Sequence, residues 1–306
     1  MKHKSVLLNE VIEYLNVSEG KTYIDATVGY AGHSGEILRK LNKKGFLFAV
    51  DQDIDAVKYS NEKLSKIANN FKIFNVNFSK LKECVNEKVD GILFDLGVSS
   101  PQLDEADRGF SFHKDAPLDM RMDQAQKLTA WNVVNEYSYE KLVSILKKFG
   151  EEKYASSIVK AIIASRPINT TLELAEIIKN SVPISYRNKS HPARKTFQAI
   201  RIEVNHELDI LEQALLDAFD LLKVGGRLCV ISFHSLEDKI VAHTFNKLCS
   251  DDENAKRFPV VPEEMKAKAK KIVKITPSDN ELEDNNRSRS SKLRVIERVK
   301  WKRKNT

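Results

Sequence analysis

The chain has 306 residues, of which 42% are hydrophobic and 30% charged, and its formal net charge is +7. This length allows one large core, or one core with a smaller inserted domain, and the composition is that of an ordinary globular protein. No apolar run approaches the roughly 20 residues that cross a bilayer, and acids at Glu10 and Glu13 interrupt the first apolar stretch, which excludes a membrane span and a secretory signal.

Two further features concern compartment and partners. Cys84, Cys229 and Cys249 are too far apart to form a metal or redox pair, so we expect no metal site and reduced thiols in a cytoplasmic protein. The segment from Arg287 onward contains nine basic residues and a single acid, Glu297, so its formal charge is +8. A basic tail on a near-neutral body indicates contact with a polyanion such as RNA, and a solubilising end is the alternative.

The first third of the chain alternates between strand and helix patterns. Val6 to Leu15 predict an amphipathic helix, and short apolar runs then alternate with amphipathic segments. The predicted strands are 21–27, 45–50, 71–75 and 89–96, and the predicted helices between them are 34–41, 54–68 and 81–85. Nearly continuous apolar strands between helices are typical of a parallel sheet covered on both faces.

After residue 96 the alternation stops and then returns. Helical patterns at 139–149, 151–165 and 171–181 occupy a region without convincing strands. The alternation returns with a helix at 207–222 closed by Gly225-Gly226, a strand at 227–233 and a helix that begins with a capping box at Ser235. Residues 251–271 and 276–291 read as loops, with a closing strand pair at 271–275 and 293–299. We expect a doubly wound, Rossmann-like α/β core (1–103 and 206–306) with a helical insertion (104–205).

A glycine turn between the first strand and helix is the most informative motif. Gly29 and Gly32 bound it, Asp25 precedes it, and Asp51 ends the next strand. Such a turn exposes backbone N–H groups, and an acid about 20 residues further on is placed to bind ribose hydroxyls. The third glycine of a nicotinamide fingerprint is missing, which favours a nucleoside with a short charged chain, S-adenosylmethionine. A purely structural turn is the alternative.

The ends of later strands suggest further ligand contacts. Phe78 could pack against an adenine ring, although a lone aromatic is more often part of a core. Ligands of open α/β sheets bind beyond the carboxyl ends of the strands, which places Asp95 and Gln102 beside the reactive end of the cofactor. His234 ends a later strand, and a structural role is the more common one for such a histidine.

Two segments of the insertion carry unusual residues. The stretch 108–123 is dense in polar, aromatic and glycine residues and includes Phe110 and Phe112. In the block 191–205, cations lie around Phe197 and could contact phosphates while the ring stacks on a base. A helix with a buried apolar face and solvated cations explains that block equally well.

These motifs together resemble one family, the bacterial 16S ribosomal RNA cytosine-N4 methyltransferases, over nearly the whole chain. The matching segments are His3 with 6–8, 32–34, 49–51, 95–104, 108–112, 119–122, 191–205, 225–228, 231–238 and 287–294. Ala31 departs from the glycine usual there, and Asn286 from a common proline. A left-handed turn at position 31 would make the added methyl group unfavourable.

The resemblance implies a class I methyltransferase core and S-adenosylmethionine as cofactor. The matched cofactor positions are Ala31, Gly32, His33, Asp51, Phe78, Asp95 and Gln102. It also implies a decoding-site cytosine of 16S ribosomal RNA as substrate, in the assembled small subunit, and a homodimer is one assembly to test. Catalytic candidates are Asp95, Ser99 and Ser100. The substrate-binding candidates are Phe110, Phe112, Arg194, Lys195, Phe197, Arg201, His234, Arg287, Arg289 and Lys292.

Three other functions remain open at this point. A noncatalytic ribosome-assembly factor could bind RNA with the same fold, although the intact cofactor motifs argue against it. A nicotinamide-dependent dehydrogenase lacks its third glycine here. A DNA amino-methyltransferase would share the core, but the Asp/Asn-Pro-Pro-aromatic motif of many such enzymes is absent, since Asp95-Leu96-Gly97-Val98 holds its place.

Overall fold

The structure, a computed structural model, describes residues 5–188 and 191–299. His3 and the tail cations Lys300, Lys302, Arg303 and Lys304 lie outside these residues. The strands are β1 (Thr22–Asp25), β2 (Phe46–Asp51), β3 (Phe71–Asn75), β4 (Val89–Asp95), β5 (Leu222–Ser232), β6 (Ala269–Ile275) and β7 (Lys292–Arg298).

These seven strands form one sheet in the order β3-β2-β1-β4-β5-β7-β6. The first five in that order pair in parallel, and β7 runs antiparallel to both β5 and β6. The expected doubly wound, Rossmann-like α/β sheet is therefore confirmed, and so is its closing strand pair. Because β1 lies between β2 and β4, the carboxyl ends of these three strands meet at one edge.

The helices are α1 (Leu8–Tyr14), α2 (Gly32–Leu41), α3 (Ile54–Ser65), α4 (Leu81–Cys84), α5 (Ser100–Asp104), α6 (Ala130–Glu136), α7 (Tyr139–Gly150), α8 (Ala155–Ala164), α9 (Thr171–Asn180), α10 (Ile184–Arg187), α11 (Ala193–Asn205), α12 (Leu211–Leu221), α13 (Ser235–Leu248) and α14 (Asp279–Asp284). None of those in the described part of the chain is long and apolar enough to cross a membrane.

Apolar cores cover both faces of the sheet. On one face Ile92 and Phe94 of β4 join residues of α4, α12 and α13 in a buried cluster. On the other face Leu93 of the same strand joins residues of α1, α2 and α3. The alternation of neighbouring residues between the two faces follows from the period of two along a strand. The apolar runs in the sequence reflect this double burial.

Chain contacts divide the molecule into a sheet unit (residues up to Gly97 and from Leu208) and a helical unit (Val98–Glu207). Within the helical unit α7 packs against α11 at close range. A Cβ atom on Gly150 would lie 2.7 Å from the Lys195 carbonyl oxygen, so only glycine permits this approach of the two backbones. Buried side chains from five helices fill the interior of this unit: Val133, Leu142, Leu146, Ile158, Ile162, Leu174, Ile178 and Ile200.

Several element predictions were wrong in detail. Helix α12 begins at Leu211 and ends at Leu221, and Gly225-Gly226 lie inside β5 instead of closing the helix. The residue that caps α13 is His234, not Ser235. The predicted loop 276–291 contains α14, whose Ser278 side chain caps it. Caps and glycines were recognised from the sequence, but the element to which each belongs and the exact ends of that element depend on tertiary packing.

Candidate functional site

Three carboxylates mark the carboxyl edge of the sheet. Asp25 ends β1, Asp51 ends β2 and Asp95 ends β4. Burial raises the pKa of both Asp25 and Asp51 to about 6 and that of Asp95 to about 8. Clusters of buried carboxylates with raised pKa values are typical of functional sites, because a purely structural role seldom requires a charged group to be buried.

Asp25 is held by the turn that follows it. Its Oδ2 accepts a hydrogen bond from the Ser34 hydroxyl at 2.6 Å, and its Oδ1 accepts one from the Thr27 N–H at 3.2 Å. These bonds partly offset the effect of burial on its pKa. The carboxylate is thereby oriented and almost completely buried, with 1% of the residue exposed.

Asp51 fixes the glycine turn from the neighbouring strand. Its Oδ2 accepts a hydrogen bond from the Gly29 N–H at 2.8 Å, and its Oδ1 accepts one from the Asp53 N–H at 2.9 Å. Gly29 has φ of +48° and Ala31 has φ of +54°. The turn therefore requires the left-handed region at both positions, one of which carries a Cβ atom.

Gly32 begins α2 where another segment approaches closely. A Cβ atom on Gly32 would lie 1.7 Å from Ser5 Oγ and 3.1 Å from Ser5 Cβ. The segment around Ser5 therefore packs directly on the glycine turn. This contact could not be predicted from the sequence, because nothing in a local pattern indicates which distant segment covers a turn.

Asp95 faces His33 across the edge of the sheet. Asp95 Oδ2 lies 3.4 Å from His33 Nδ1, and its backbone N–H donates to Thr27 Oγ1 at 2.7 Å. Its other carboxylate oxygen, Oδ1, is buried without a hydrogen-bond partner in the structure. A buried acceptor left unpaired is costly, which points to a ligand-binding role for this oxygen.

His33 is held from behind by the first residues of the chain. Its Nε2 lies 3.0 Å from the Val6 carbonyl oxygen, and burial lowers the pKa of the imidazole to about 4. The Leu7 N–H next to Val6 donates to Glu281 Oε1 of α14 at 3.3 Å. Two segments from opposite ends of the sequence thus support one side chain of the site.

Phe78 and Gly97 shape the same edge. Phe78 is partly buried and meets Phe94 edge to face, with ring centroids 5.6 Å apart. Gly97 follows β4 with φ of +91°, where a Cβ atom would lie 3.4 Å from the Phe233 ring. Both residues lie beside strand ends, in the region that the sequence pattern predicted.

Ser99 and Gln102 form a capping box at the start of α5. Ser99 N–H donates to Gln102 Oε1 at 3.0 Å, and Gln102 N–H lies 3.4 Å from Ser99 Oγ. Ser100 is the first residue of this helix. The Ser99 hydroxyl therefore has a structural task that the sequence analysis did not assign to it.

The aromatic residues of the helical unit differ in access. Phe110 and Phe197 are only 5% and 4% exposed, whereas Phe112 is partly exposed and stacks on His191 with centroids 4.4 Å apart at 19°. These last two rings line a cavity of about 630 Å³ together with Arg187, Lys179 and the Glu176 carboxylate that pairs with Lys179 at 3.0 Å. The helical unit therefore presents an aromatic surface beside positive charge.

The block 191–205 forms α11, so its helical interpretation is correct. Phe197, Ile200 and Val204 are buried. Arg194 is exposed, while Lys195 Nζ donates to the Glu151 carbonyl oxygen at 2.9 Å. Arg201 binds both carboxylate oxygens of Glu207. The three cations of the block thus have different surroundings.

The remaining substrate candidates lie in the sheet unit. The backbone N–H groups of Phe233 and His234 donate to Glu237 Oε2, at 2.7 and 3.3 Å, so His234 belongs to the cap of α13. Lys292 Nζ donates to Asp238 at 2.9 Å. Arg287 and Arg289 are exposed. Of these candidates, the two arginines have the clearest access to a large partner.

Known proteins are similar to this chain over nearly its full length. A profile of the MraW methylase family matches residues 1–299, nearly the full length. The chain belongs to this family. Ribosomal RNA small subunit methyltransferase H of Mycoplasma mycoides is 52% identical over 306 residues, covering 97% of this chain and 99% of the relative. The protein of the same name from Ruminiclostridium cellulolyticum is 51% identical, with the same coverage of each chain.

As a member of the MraW methylase family, the protein uses S-adenosylmethionine as its methyl donor. The strand edge suits this molecule. It carries one net positive charge, and three recessed carboxylates meet at the edge, one of them with an unpaired oxygen. The left-handed turn at Gly29 leaves room for close backbone approach.

Proposed function

We propose that this protein transfers a methyl group from S-adenosylmethionine to the exocyclic N4 amine of a decoding-site cytosine in 16S ribosomal RNA. The observation that carries the proposal is the similarity to proteins named as small-subunit ribosomal RNA methyltransferases. About half of the residues are identical, over nearly the full length of both chains. The segments at 95–104 and 108–112, which resemble the cytosine-N4 family, support the choice of atom.

The cofactor roles follow from the chemistry of each strand end. Asp51 accepts from the ribose hydroxyls, as an acid at the end of a second strand does in nucleotide-binding sheets. Asp25 is assigned to the ammonium group by its position at the end of β1. The turn at Ala31, Gly32 and His33 surrounds the amino-acid portion.

The remaining cofactor contacts come from later segments. Phe78 packs against the adenine, and Asp95 and Gln102 are assigned to the reactive end by their match to the family motif. The partial exposure of Phe78 beside β3 and the unpaired oxygen of Asp95 support these two roles.

Positioning of the reactants and electrostatic stabilisation account for the acceleration of methyl transfer. The cytosine amine is a poor nucleophile, because its lone pair is delocalised into the ring, and the cofactor supplies an activated methyl group. Holding the nitrogen in line with that group contributes up to about 7–11 kcal/mol in favourable cases. Asp95 and nearby carbonyl groups orient the amine, with Ser99 or Ser100 assisting. The methylated nitrogen is acidic, so no strong base is required.

The cavity in the helical unit is our candidate for binding a nucleotide of the RNA. A ring stacked on Phe112 and His191 would lie beside Arg187, which would bind its phosphate, while Lys179 is held by its ion pair with Glu176. Phe110 and Phe197 serve instead as support from the interior, since they are almost fully buried. We assign three exposed cations to phosphates of the RNA backbone: Arg194, Arg287 and Arg289. Three other cations are bound to groups within the fold and are therefore positioning residues: Lys195, Arg201 and Lys292.

Replacing Phe112 tests this RNA surface. Base stacking on an aromatic side chain contributes about 1–3 kcal/mol, so Phe112→Ala should weaken RNA binding by about 5- to 150-fold. Affinity for S-adenosylmethionine should stay unchanged. Trp131→Ala is the matched control, because Trp131 is an aromatic residue of the same unit, 37% exposed, that does not line the cavity. Equal losses in the two variants would contradict the assignment.

The decisive experiment for the function uses the modified nucleosides themselves. Mass spectrometry of ribosomal RNA from cells with and without the gene should show loss of one N4-methylated cytosine species in the deletion strain. Wild-type protein should restore it and Asp95→Ala should not, although the variant should fold normally. Unchanged nucleosides in the deletion strain would refute the function, and near-normal rescue by Asp95→Ala would refute the role of that residue.

The state of the substrate and of the enzyme can be tested with purified components. We propose that the assembled small subunit is methylated faster than free 16S ribosomal RNA, and turnover on each measures this directly. A homodimer remains a prediction from the sequence, which light scattering of the purified protein tests.

A further inference from the structure

The contact between His33 and Asp95 requires a proton. A carbonyl oxygen only accepts hydrogen bonds, so the 3.0 Å contact with Val6 places a hydrogen on His33 Nε2. In a neutral imidazole Nδ1 then carries a bare lone pair. This lone pair faces Asp95 Oδ2 at 3.4 Å, and an ionised carboxylate would repel it. The contact is attractive only if one proton lies between the two groups.

The surroundings decide which group holds that proton. Burial and the negative charges of Asp25, on β1, and Glu237, on α13, raise the pKa of Asp95 to about 8, in that order of importance. Burial of His33 on α2 lowers the pKa of its imidazole to about 4. Among the described residues of the sheet unit, these are the titratable groups that face the pair. At neutral pH Asp95 is therefore the neutral acid, and its Oδ2 lies 3.4 Å from the bare nitrogen of a neutral His33.

We propose that this acid–imidazole pair distinguishes the charged methyl donor from the uncharged product: Asp95 releases its proton to solvent when the sulfonium of S-adenosylmethionine binds, and keeps it when S-adenosylhomocysteine binds. The inference rests on the proposed placement of the cofactor at the strand edge. His33 acts as a positioning residue, because its fixed tautomer holds the neutral acid when no cation is present.

The linkage has a definite sign. A cation beside Asp95 favours its ionised form, so donor binding is coupled to proton release wherever free Asp95 is protonated, which is below about pH 8. Donor affinity should therefore rise with pH, by up to about tenfold per unit, and level off near that pH. Asp51 faces a part that donor and product share, so its titration affects both ligands alike. Asp25, whose pKa is about 6, acts on Asp95 through its charge, so its ionisation strengthens the retention of the proton on Asp95 above that pH.

Isothermal titration calorimetry in buffers of different ionisation enthalpy measures the released proton. At pH 7 we expect S-adenosylmethionine to release close to one proton more per site than S-adenosylhomocysteine does. The ratio of donor to product affinity should increase between pH 5.5 and 6.5, where the amino groups of both ligands remain almost fully charged. Equal proton release for the two ligands would overturn the proposal.

Asp95→Asn tests the pair directly, since the amide mimics the neutral acid and can still donate to His33 Nδ1. We expect this variant to bind the product as the wild type does, and to lose both the extra proton and the pH-dependent preference for the donor. Glu87→Gln, an exposed carboxylate of the sheet unit, is the control and should behave as wild type. Retention of the extra proton in Asp95→Asn would refute the inference. If Asp95→Asn left both affinities and the proton count at wild-type values, the placement of the cofactor itself would be wrong.

Discussion

At the scale of single residues, Ala31 is informative because it carries a Cβ atom in the left-handed backbone region. Its φ of +54° is the conformation that the sequence analysis identified as unfavourable for a residue with a Cβ atom. The left-handed conformation lowers the stability of the fold by about 1–2 kcal/mol for an L-residue, and burial of the methyl group adds about 0.8 kcal/mol. The two contributions largely offset each other, so an alanine is tolerated at this position.

This balance predicts an unusual response to mutation. Ala31→Gly should change the free energy of unfolding by less than about 1 kcal/mol, because relief of the backbone offsets the lost methyl and the freer unfolded chain. Ala56→Gly is the matched control, since Ala56 is equally buried but lies in the right-handed backbone of α3, and it should cost about 1.5–2 kcal/mol. Chemical denaturation measures both. Equal destabilisation would contradict the proposed balance.

At the scale of elements, Asp238 links α13 to β7. Its carboxylate accepts from Arg294 Nε at 2.7 Å and from Lys292 Nζ at 2.9 Å, and its side chain is 13% exposed. Burial alone would raise the pKa of Asp238, but these hydrogen bonds outweigh it and lower the pKa to about 2. A depressed pKa adds stability above the unfolded-state value near 4, and this contribution is lost as pH falls toward 2.

Asp238→Asn should therefore destabilise the protein by about 2 kcal/mol at pH 7 and by progressively less between pH 4 and pH 2. Denaturation midpoints across that range measure the difference between variant and wild type. Asp220→Asn serves as control, because the ion pair of Asp220 with Lys82 is largely exposed and should contribute under about 1 kcal/mol. A pH-independent effect of Asp238→Asn would show that lost packing is responsible instead.

Sequence patterns predicted the elements better than their junctions. The strand 71–75 is matched by β3, and the other predicted strands overlap observed ones with ends shifted by up to five residues, since apolar runs between polar turns are a local signal. The glycine turn and the strand-end acids were found for the same reason. The contacts of Val6 with His33 and of Ser5 with Gly32 were not, because they join segments far apart in sequence.

At the scale of the whole molecule, charge is distributed unevenly. The +8 of the segment from Arg287 onward exceeds the total of +7, so the rest of the chain is close to neutral. Each phosphate contact made by a basic residue releases counterions, which makes RNA affinity steeply dependent on salt. The exposed Arg194 of the helical unit and Arg289 of the sheet unit are our candidates for such contacts.

Salt dependence counts these contacts. Arg194→Gln and Arg289→Gln should each reduce the slope of log affinity against log salt by about 0.7–0.9, since one phosphate contact is lost. Lys66→Gln is the control, because Lys66 is exposed in the sheet unit and is not assigned to RNA. Binding to small subunits from 50 to 200 mM salt gives the slopes. An unchanged slope for either arginine variant would remove that residue from the interface.

The bond from Leu7 to Glu281 has a consequence for biosynthesis. Glu281, whose side chain holds the backbone of Leu7, is added 274 residues after it during translation. A nascent chain that ends after the helical unit already contains the glycine turn but not the acid that secures the segment behind it. Competence to retain the methyl donor should therefore arise only after α14 has been made.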